Sequence, residues 1–321
     1  MKIEAGGAAF MPCGDRFVPE GYRTGLGPEQ QMAELAKVKG LSGVPVWFPS
    51  PLADDRGKLK KMMADANLQV ASVATDTYTT AYWKDGTLAS RDAKKRKEMI
   101  RLIQDAMDFC HEMNGADVLI WLAHDGYDYP FEDDYRVRRD YIVDGLREIV
   151  SYRSDVNVTI EYKTKEPRTH QYISTAEAGL LLCAEINQPN FGVVLDLGHS
   201  LFAGENPAEK VALLDQYKRL FHIHLNDNYR GWDDDLLLGS VHFWETLDFF
   251  YWLNKVGYDG WYTIDIWPTR IDGMKSLQES VDRTYHFMEL AKKLPYEEIK
   301  RLEEENSTMD LLKLLREMAI K

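Results

Sequence analysis

The repeat that decides the fold lies between residues 157 and 199, where the chain reads NVTIEYKTKEPRTHQYISTAEAGLLLCAEINQPNFGVVLDLGH. It opens with a β-branched and apolar run, Asn157–Tyr162, continues through a longer stretch, and closes with a second apolar run, Gly192–Asp196. Short apolar runs are typical of buried strands, and parallel strands need a long connection between them, usually a helix. The spacing therefore predicts a strand, a helix and a second, parallel strand.

The same alternation occurs eight times along the chain. The predicted strands are Ile3–Phe10, Gly43–Phe48, Gln69–Thr75, Asp117–Leu122, Asn157–Tyr162, Gly192–Asp196, Leu220–Leu225 and Trp261–Ile266. Between them the apolar residues recur every three or four positions, as expected for helices that cover a sheet. Eight strand–helix units within residues 1–294 match a closed (β/α)8 TIM barrel better than a doubly wound sheet. Residues 295–321 are predicted to form a short helical C-terminal extension, which either lengthens the final helix or packs on a neighbouring subunit.

Composition limits the possible partners. The chain has 321 residues and carries 39 Lys and Arg against 52 Asp and Glu, a formal net charge of −13. Because nucleic-acid affinity depends on basic side chains that neutralise phosphates, this charge disfavours DNA and RNA. The chain has no apolar stretch of the ~20 residues needed to cross a bilayer, and its first residues, MKIEAGGAAF, contain no apolar signal segment. Three scattered cysteines fit a reducing compartment, so we expect a cytoplasmic protein with no membrane partner.

Acids and histidines follow four successive predicted strands. The side chains at these strand ends are Glu161 and Lys163, Asp196 and His199, His222, His224 and Asp227, and Asp265. One aspartate in such a place is typical of a helix N-cap, but in a barrel all of these ends meet at the same rim. A divalent metal accepts mixed oxygen and nitrogen ligands and neutralises converging carboxylates. The pattern therefore predicts a metal site with one or two ions per chain. Ligation without thiolate fits Mn²⁺, Mg²⁺ or Co²⁺ and leaves Zn²⁺ open.

Seven strings, in order along the chain, resemble those of the xylose isomerases, which are sugar isomerases built on a metal-dependent TIM barrel. The most distinctive is IEYKTKEPR (Ile160–Arg168), which is similar to that family's I-E-P-K-P-N-E-P-R. The other six are WKDGTLASRD (Trp83–Asp92), VLIWLAHDG (Val118–Gly126), DLGH (Asp196–His199), HIHLND (His222–Asp227), WDDDL (Trp232–Leu236) and YDGWYTIDIWPTR (Tyr258–Arg270). The chain is identified as a divergent member of this superfamily of sugar isomerases and epimerases.

The resemblance implies roles for individual residues. The first metal would be held by Glu161, Asp196, His224 and Asp265, and the second by Asp196, His199, Asp233 and Asp235. Lys163 would bind the substrate carbonyl oxygen, and Trp121 and Trp83 would form an apolar wall of the sugar pocket. We assign catalysis to Lys163, Glu161, Asp265 and His199, and further substrate contacts to His199 and Arg230. The implied activity interconverts an aldose and a ketose by a hydride shift between C1 and C2, in a homo-oligomer of two or four subunits.

Three departures from the family keep a second reading open. The end of the second strand reads VWFPSPLADD (Val46–Asp55), without the family's histidine that helps to open the sugar ring. His224 stands where the family has an aspartate, which resembles the single-metal ketose 3-epimerases, and the family's long C-terminal arm is absent. The alternative is therefore a ketose 3-epimerase with one metal and with Glu161 and Asp265 as acid and base. Lys163 and the WDDDL loop favour the isomerase. Net charge disfavours a DNA endonuclease of the superfamily, and the intact acids and histidines disfavour a sugar-binding barrel without catalysis.

Overall fold

Eight parallel strands close into a barrel in the computed structural model, which describes residues 1–319. The barrel strands are β1 (Lys2–Ala5), β2 (Gly43–Phe48), β3 (Gln69–Thr75), β4 (Asp117–Trp121), β5 (Asn157–Glu161), β6 (Phe191–Asp196), β7 (Leu220–Leu225) and β8 (Trp261–Ile264). Each strand pairs with its neighbours in chain order, and β1 pairs with both β8 and β2 to close the ring. The predicted (β/α)8 TIM barrel is confirmed.

Helices surround the barrel and bury their apolar faces against it. They are α1 (Pro28–Leu35), α2 (Pro51–Asp54), α3 (Arg56–Ala66), α4 (Ala93–Met113), α5 (Tyr135–Tyr152), α6 (Ala176–Ile186), α7 (Leu197–Phe202), α8 (Pro207–Gln216), α9 (Phe243–Val256), α10 (Gly273–Lys293), α11 (Tyr296–Glu304) and α12 (Thr308–Ala319). No helix among residues 1–319 combines the length and the apolar character that crossing a membrane requires.

An asparagine ends the helix in three of the strand–helix units, just before the next strand begins. Asn67, Asn114 and Asn187 follow α3, α4 and α6, and each adopts the left-handed conformation with φ between 52° and 55°. Asparagine tolerates this conformation better than most residues, and it ends a helix sharply. The next strand begins within four residues in every case. These turns lie at the end of the barrel opposite the strand ends that carry the acids.

The first predicted strand is too long. Pairing of β1 with β8 ends at Ala5 opposite Ile264, and Gly7–Phe10 forms a short 3-10 helix instead. Ala9 and Phe10 of this helix are buried against α1 and α10 rather than in the sheet. Apolar character was therefore a sound guide to burial here but not to strand pairing.

The C-terminal extension consists of two further helices and does not lengthen α10. That helix ends at Lys293, and the extended backbone at Leu294 precedes Pro295, as expected before a proline. Ile299 and Leu302 of α11 are buried, and one face of α12 packs on the core of the same chain. Ile320 and Lys321, the last residues of the predicted extension, lie outside the described residues. The domain boundary after residue 294 stays a prediction.

Candidate metal centre

Four side chains from successive strands meet at the C-terminal rim of the barrel. Glu161 ends β5, Asp196 ends β6, His224 lies in β7, and Asp265 directly follows β8. One ligand atom from each of them lies within 4.8 Å of all the others. Neighbouring parallel strands place equivalent residues side by side, as the pairing of Asp196 with His224 shows. The sequence order of the strands therefore brings these four groups into one cluster.

One nitrogen of His224 faces all three carboxylates of the cluster. The Nδ1 atom of His224 lies 3.0 Å from Glu161 Oε1, 3.3 Å from Asp265 Oδ2 and 3.7 Å from Asp196 Oδ2. Glu161 Oε1 and His224 Nδ1 are nevertheless buried without a hydrogen-bond partner among the described residues. Buried polar atoms left unpaired are costly, and three carboxylates with one imidazole form a ligand set that divalent ions accept. The residues present fit a divalent metal.

Burial and mutual repulsion perturb the ionisation of these ligands. Burial and the negative charges of Asp233 and Glu161 raise the pKa of Asp196 to about 6, against the opposing effect of His199. Burial alone would raise the pKa of Glu161, but the positive charges of His224 and His199 lower it to about 2. Burial opposes protonation of His224, yet the charge of Glu161 raises its pKa well above the ordinary value. The cluster thus attracts positive charge strongly.

Asn226 is a site residue that the sequence reasoning missed. Its Nδ2 atom donates to Asp196 Oδ2 at 3.1 Å and to Asp235 Oδ1 at 3.3 Å, while its Oδ1 atom accepts the amide of Gly198 at 2.8 Å. The side chain is fully buried. The signal was available in the HIHLND string, because Asn226 lies two residues beyond His224 and an extended chain places such residues on one side.

A second group, Lys163, His199 and Asp233, lies beside the cluster. Asp233 Oδ2 is 2.7 Å from Lys163 Nζ and 3.2 Å from His199 Nε2, and Lys163 also forms an ion pair with Glu166. The other ring nitrogen of His199 lies 3.0 Å from the carbonyl oxygen of Tyr162. Asp233 is therefore paired with two basic groups. Within residues 1–319, the ligand atoms of the predicted second set do not converge within 4.8 Å of one another as those of the first set do. Metal binding by His199, Asp233 and Asp235 stays a prediction.

Charges in this second group are held by one another. Burial opposes the charge of Lys163, but Asp233 and Glu166 raise the pKa of its ammonium well above the ordinary value. The pKa of His199 is raised to about 9, because the charges of Asp196 and Asp233 outweigh burial. Burial and the charge of Asp233 raise the pKa of Asp235, so this carboxyl holds a proton more readily than an ordinary aspartate. Lys163 therefore stays cationic at the edge of the metal cluster.

The two predicted tryptophans lie in different surroundings. Trp121 ends β4, its ring centroid is 4.7 Å from Lys163 Nζ, and its Nε1 atom donates to Gln171 Oε1 at 3.0 Å. Trp83 is buried in the hydrophobic core with its ring against Tyr82. The structure thus places Trp121 beside the candidate site, and substrate contact by Trp83 stays a prediction.

Arg230 and Asp227 belong to the loop that follows β7. The guanidinium of Arg230 is paired with Glu245 at 3.2 Å. Asp227 accepts hydrogen bonds from the backbone of Val241 at 2.8 Å and of His242 at 2.9 Å, so it anchors the start of α9. Asp227 is therefore structural, although the sequence shows it as one more strand-end acid. Sugar binding by Arg230 stays a prediction.

Comparisons with known proteins agree with this architecture. A family model described as xylose isomerase-like TIM barrel matches residues 33–289. Xylose isomerases from Thermus thermophilus and Thermus caldophilus are both 26% identical over 209 residues, which cover 63% of this chain and 54% of theirs. The chain thus spans about half the length of the curated relatives that it matches.

Solved structures share the whole barrel. A D-tagatose 3-epimerase-like protein superposes with a TM-score of 0.71 at 19% identity, over 91% of this chain and 99% of the other. An L-ribulose 3-epimerase gives a TM-score of 0.72 at 15% identity, over 91% and 96%. A D-allulose 3-epimerase from Methylomonas gives 0.68 at 18% identity, over 89% and 98%. At such identities the likeness extends to the fold alone.

Proposed function

The chain belongs to the xylose isomerase-like TIM barrel family, and from that membership we propose that it is a divalent-metal-dependent isomerase that interconverts an aldose and a ketose. The observation that carries the proposal is the buried ammonium of Lys163 beside the cluster of Glu161, Asp196, His224 and Asp265. A carbonyl-polarising cation next to a metal site suits a reaction in which negative charge develops on sugar oxygens.

The four clustered residues would hold the ion, with Mn²⁺, Mg²⁺, Co²⁺ and Zn²⁺ as the candidates. When bound, a divalent cation supplies Lewis acidity toward neighbouring hydroxyl and carbonyl oxygens. The protein's own part is to keep three carboxylates together at the rim of the barrel. Asn226 holds Asp196 in place by donating a hydrogen bond to its Oδ2 atom.

Lys163 would hydrogen-bond the oxygen on C1 of the open-chain sugar and stabilise its charge while a hydride moves from C2 to C1. The proton lost by the C2 hydroxyl ends on the C1 oxygen, so that aldose and ketose have the same composition. The ammonium of Lys163 is directed by Asp233 and lies over the ring of Trp121. The apolar face of that ring excludes bulk water, which strengthens the interaction of the ammonium with a developing oxyanion. His199, paired with the same aspartate, can hold a proton at Nε2 near the sugar hydroxyls.

A ketose 3-epimerase is the second candidate, and a specific observation favours it. Within residues 1–319 only the first metal set is assembled, since Asp233 is paired with Lys163 and His199. An epimerase would need one metal together with Glu161 and Asp265 as the groups that remove and return a proton at C3. The solved epimerases with the same fold are consistent with this alternative and do not choose between the reactions.

The test follows candidate sugars in deuterated water with the protein loaded with each of the four ions. A direct hydride shift converts aldose to ketose and leaves little solvent deuterium in the product. Epimerisation instead introduces deuterium at C3 and changes one ketose into another. Proton NMR of the products separates the two outcomes. If no candidate sugar is converted with any of the four ions, both proposed reactions are contradicted.

The remaining assignments are part of the proposal. We propose a small sugar as the substrate, a cytoplasmic location and a homo-oligomer of two or four subunits. The location is supported by three cysteines that are all free and buried. Native mass spectrometry of the purified chain measures the subunit number.

A further inference from the structure

An aromatic series leads from Lys163 to the outer edge of the barrel mouth. The ring of Trp121 lies 4.7 Å from Lys163 Nζ, Tyr78 meets Trp121 edge-on at 4.6 Å, and Trp47 meets Tyr78 at 5.9 Å. Trp121 ends β4, Tyr78 lies three residues beyond the end of β3, and Trp47 lies near the end of β2. We call these three residues the aromatic wall.

Trp47 faces the mouth rather than the helices. Its neighbour Phe48 packs on Phe109 of α4, outside the barrel, and successive residues of a strand point to opposite sides. Trp47 must then point inward, and 40% of its surface is exposed there. Trp47 thus presents an open aromatic face at the end of β2.

The wall also carries an unpaired hydrogen-bond donor. Gln171 is buried beside Trp121 and accepts the indole N–H through Oε1, but its Nε2 atom has no hydrogen-bond partner among the described residues. A buried amide donor left unpaired is costly unless a ligand supplies the acceptor. Aromatic faces next to fixed polar groups suit a sugar, whose C–H face is apolar and whose edge carries hydroxyl oxygens.

The ring of Trp47 is separated from Lys163 by Trp121 and Tyr78 and is 40% exposed, so a sugar unit that reacts at Lys163 leaves it uncovered. Given that the reacting carbons lie at Lys163, which rests on the proposed function, we infer that the aromatic wall is a subsite for a second sugar unit, and that the preferred substrate is a disaccharide or longer oligosaccharide whose reducing-end unit reacts. The second unit stacks on Trp47. The glycosidic bond stays intact, because the reaction changes only the reducing end.

The experiment compares binding of xylose and glucose with that of xylobiose, cellobiose and maltose to the Mn²⁺-loaded protein by calorimetry, and in parallel measures KM and kcat. We expect at least one disaccharide to bind roughly tenfold more tightly than its own monosaccharide unit. Trp47→Ala should raise the KM for the disaccharide until it binds no more tightly than the monosaccharide, without changing kcat or monosaccharide binding. Trp47→Phe should keep part of the tighter disaccharide binding. Trp244→Ala is the matched control, because Trp244 is 42% exposed but lies on α9 outside the mouth.

The inference is overturned if no disaccharide binds more tightly than its monosaccharide. It is also overturned if Trp47→Ala weakens both kinds of sugar equally, or no more than Trp244→Ala does. Calorimetry measures sugar binding independently of turnover, so it tests the subsite separately from the proposed isomerase activity. Tight disaccharide binding without turnover would refute the isomerase alone, whereas monosaccharide turnover without a disaccharide advantage would refute the subsite alone.

Discussion

Two layers of polar side chains lie one above the other inside the barrel. Both consist of histidine and carboxylate groups, but the surroundings of those groups differ. The upper layer at the rim is the candidate metal-binding cluster of Glu161, Asp196, His224 and Asp265. The lower layer, deeper in the barrel, surrounds His222, whose ring nitrogens contact Asp117 at 2.8 Å, Thr263 at 2.8 Å and Glu4 at 3.1 Å. The two histidines are two residues apart on β7, and their ring centroids are 5.6 Å apart.

The layers differ in how their histidines are hydrogen-bonded. Both ring nitrogens of His222 have a hydrogen-bond partner, and burial is outweighed by Asp117 and Glu4, which raise its pKa to about 9. In the upper layer, Nδ1 of His224 faces Glu161 Oε1 at 3.0 Å, but neither atom has a hydrogen bond of good geometry within residues 1–319. The lower layer has one unpaired atom as well, Asp117 Oδ1. Because buried polar atoms without a partner are costly, we propose that His224 binds a ligand and that His222 stabilises the fold.

The largest effect is expected from Glu161→Gln. Removing one charged ligand should weaken divalent-metal binding and lower turnover by about a thousandfold or more. Glu4→Gln in the lower layer is the control, and it should keep metal affinity within tenfold, because Glu4 contacts Ser72 and His222 rather than the cluster. Calorimetric titration with Mn²⁺ measures both. If Mn²⁺ affinity falls equally in the two variants, the upper layer is not the specific metal-binding group.

His222→Ala should act on stability instead of metal binding. It leaves Glu4 and Asp117 buried without their imidazolium partner, and breaking a buried charge network costs about 3–5 kcal/mol. Urea unfolding followed by circular dichroism gives the free energy of unfolding. The surface variant His286→Ala should change it by less than about 0.5 kcal/mol. An unaltered unfolding free energy in His222→Ala would show that the lower layer is not structural.

Lys163→Ala tests the group between the cluster and the substrate. We expect turnover to fall by about 10²–10³, the usual loss of one donor to a developing oxyanion, while metal affinity is kept. Lys165→Ala, two residues further along the chain, should leave turnover unchanged. Steady-state kinetics with the best sugar measures the effect. Undiminished turnover in Lys163→Ala would remove its carbonyl-polarising role and favour the epimerase.

Asn226→Ala should produce a smaller loss. Groups that orient metal ligands without touching the ion are worth about 10–100-fold in affinity, and Asn226 orients Asp196 and Asp235. Asn228→Ala is the comparison, because Asn228 bonds the carbonyl of Gly198 and no ligand carboxylate. Competition with a chelator measures both affinities. A loss that is equal in the two variants would assign Asn226 to the loop rather than to the site.

The smallest effect is a gradual dependence of metal affinity on pH. Asp196, with its pKa raised to about 6, and His224, with its pKa raised well above the ordinary value, must lose protons before they ligate. Protons therefore compete with the ion, and affinity should rise with pH by up to about tenfold per unit for each proton released. Titrations in buffers of different ionisation enthalpy count those protons. An affinity that does not vary between about pH 5 and 8 would contradict ligation by these groups.

Local pattern was enough to predict much of the fold. Three strands, Gly43–Phe48, Gln69–Thr75 and Leu220–Leu225, begin and end where their apolar runs predict. The order of strands around the barrel follows from chain order, so Glu161, Asp196, His224 and Asp265 were predictable as neighbours. The first strand failed beyond Ala5, since burial outside the barrel gives the same apolar signal as burial within the sheet.

Pairing between distant residues was not predictable in the same way. The ion pair of Lys163 with Asp233 joins residues from different strand ends. The lower layer around His222 joins residues as far apart as Glu4 and Thr263, 259 positions along the chain. The exposed face of Trp47 depends on the helix that Phe48 covers. No periodicity of one strand records such contacts, because each depends on where other strands place their side chains.

By itself, the sequence determined which residues stand at the strand ends, since alternation along a strand and the order of strand–helix units are local properties. Only the tertiary structure decided which of those acids and histidines satisfy one another and which remain open to an ion or a sugar. The physical reason is that a hydrogen bond depends on distances of a few tenths of an ångström between atoms on different strands. His222 and His224 lie on one strand, yet His222 contacts Glu4 of β1 and Asp117 of β4, whereas His224 faces Glu161 of β5 and Asp265 just after β8, where the carboxylates fit a divalent ion.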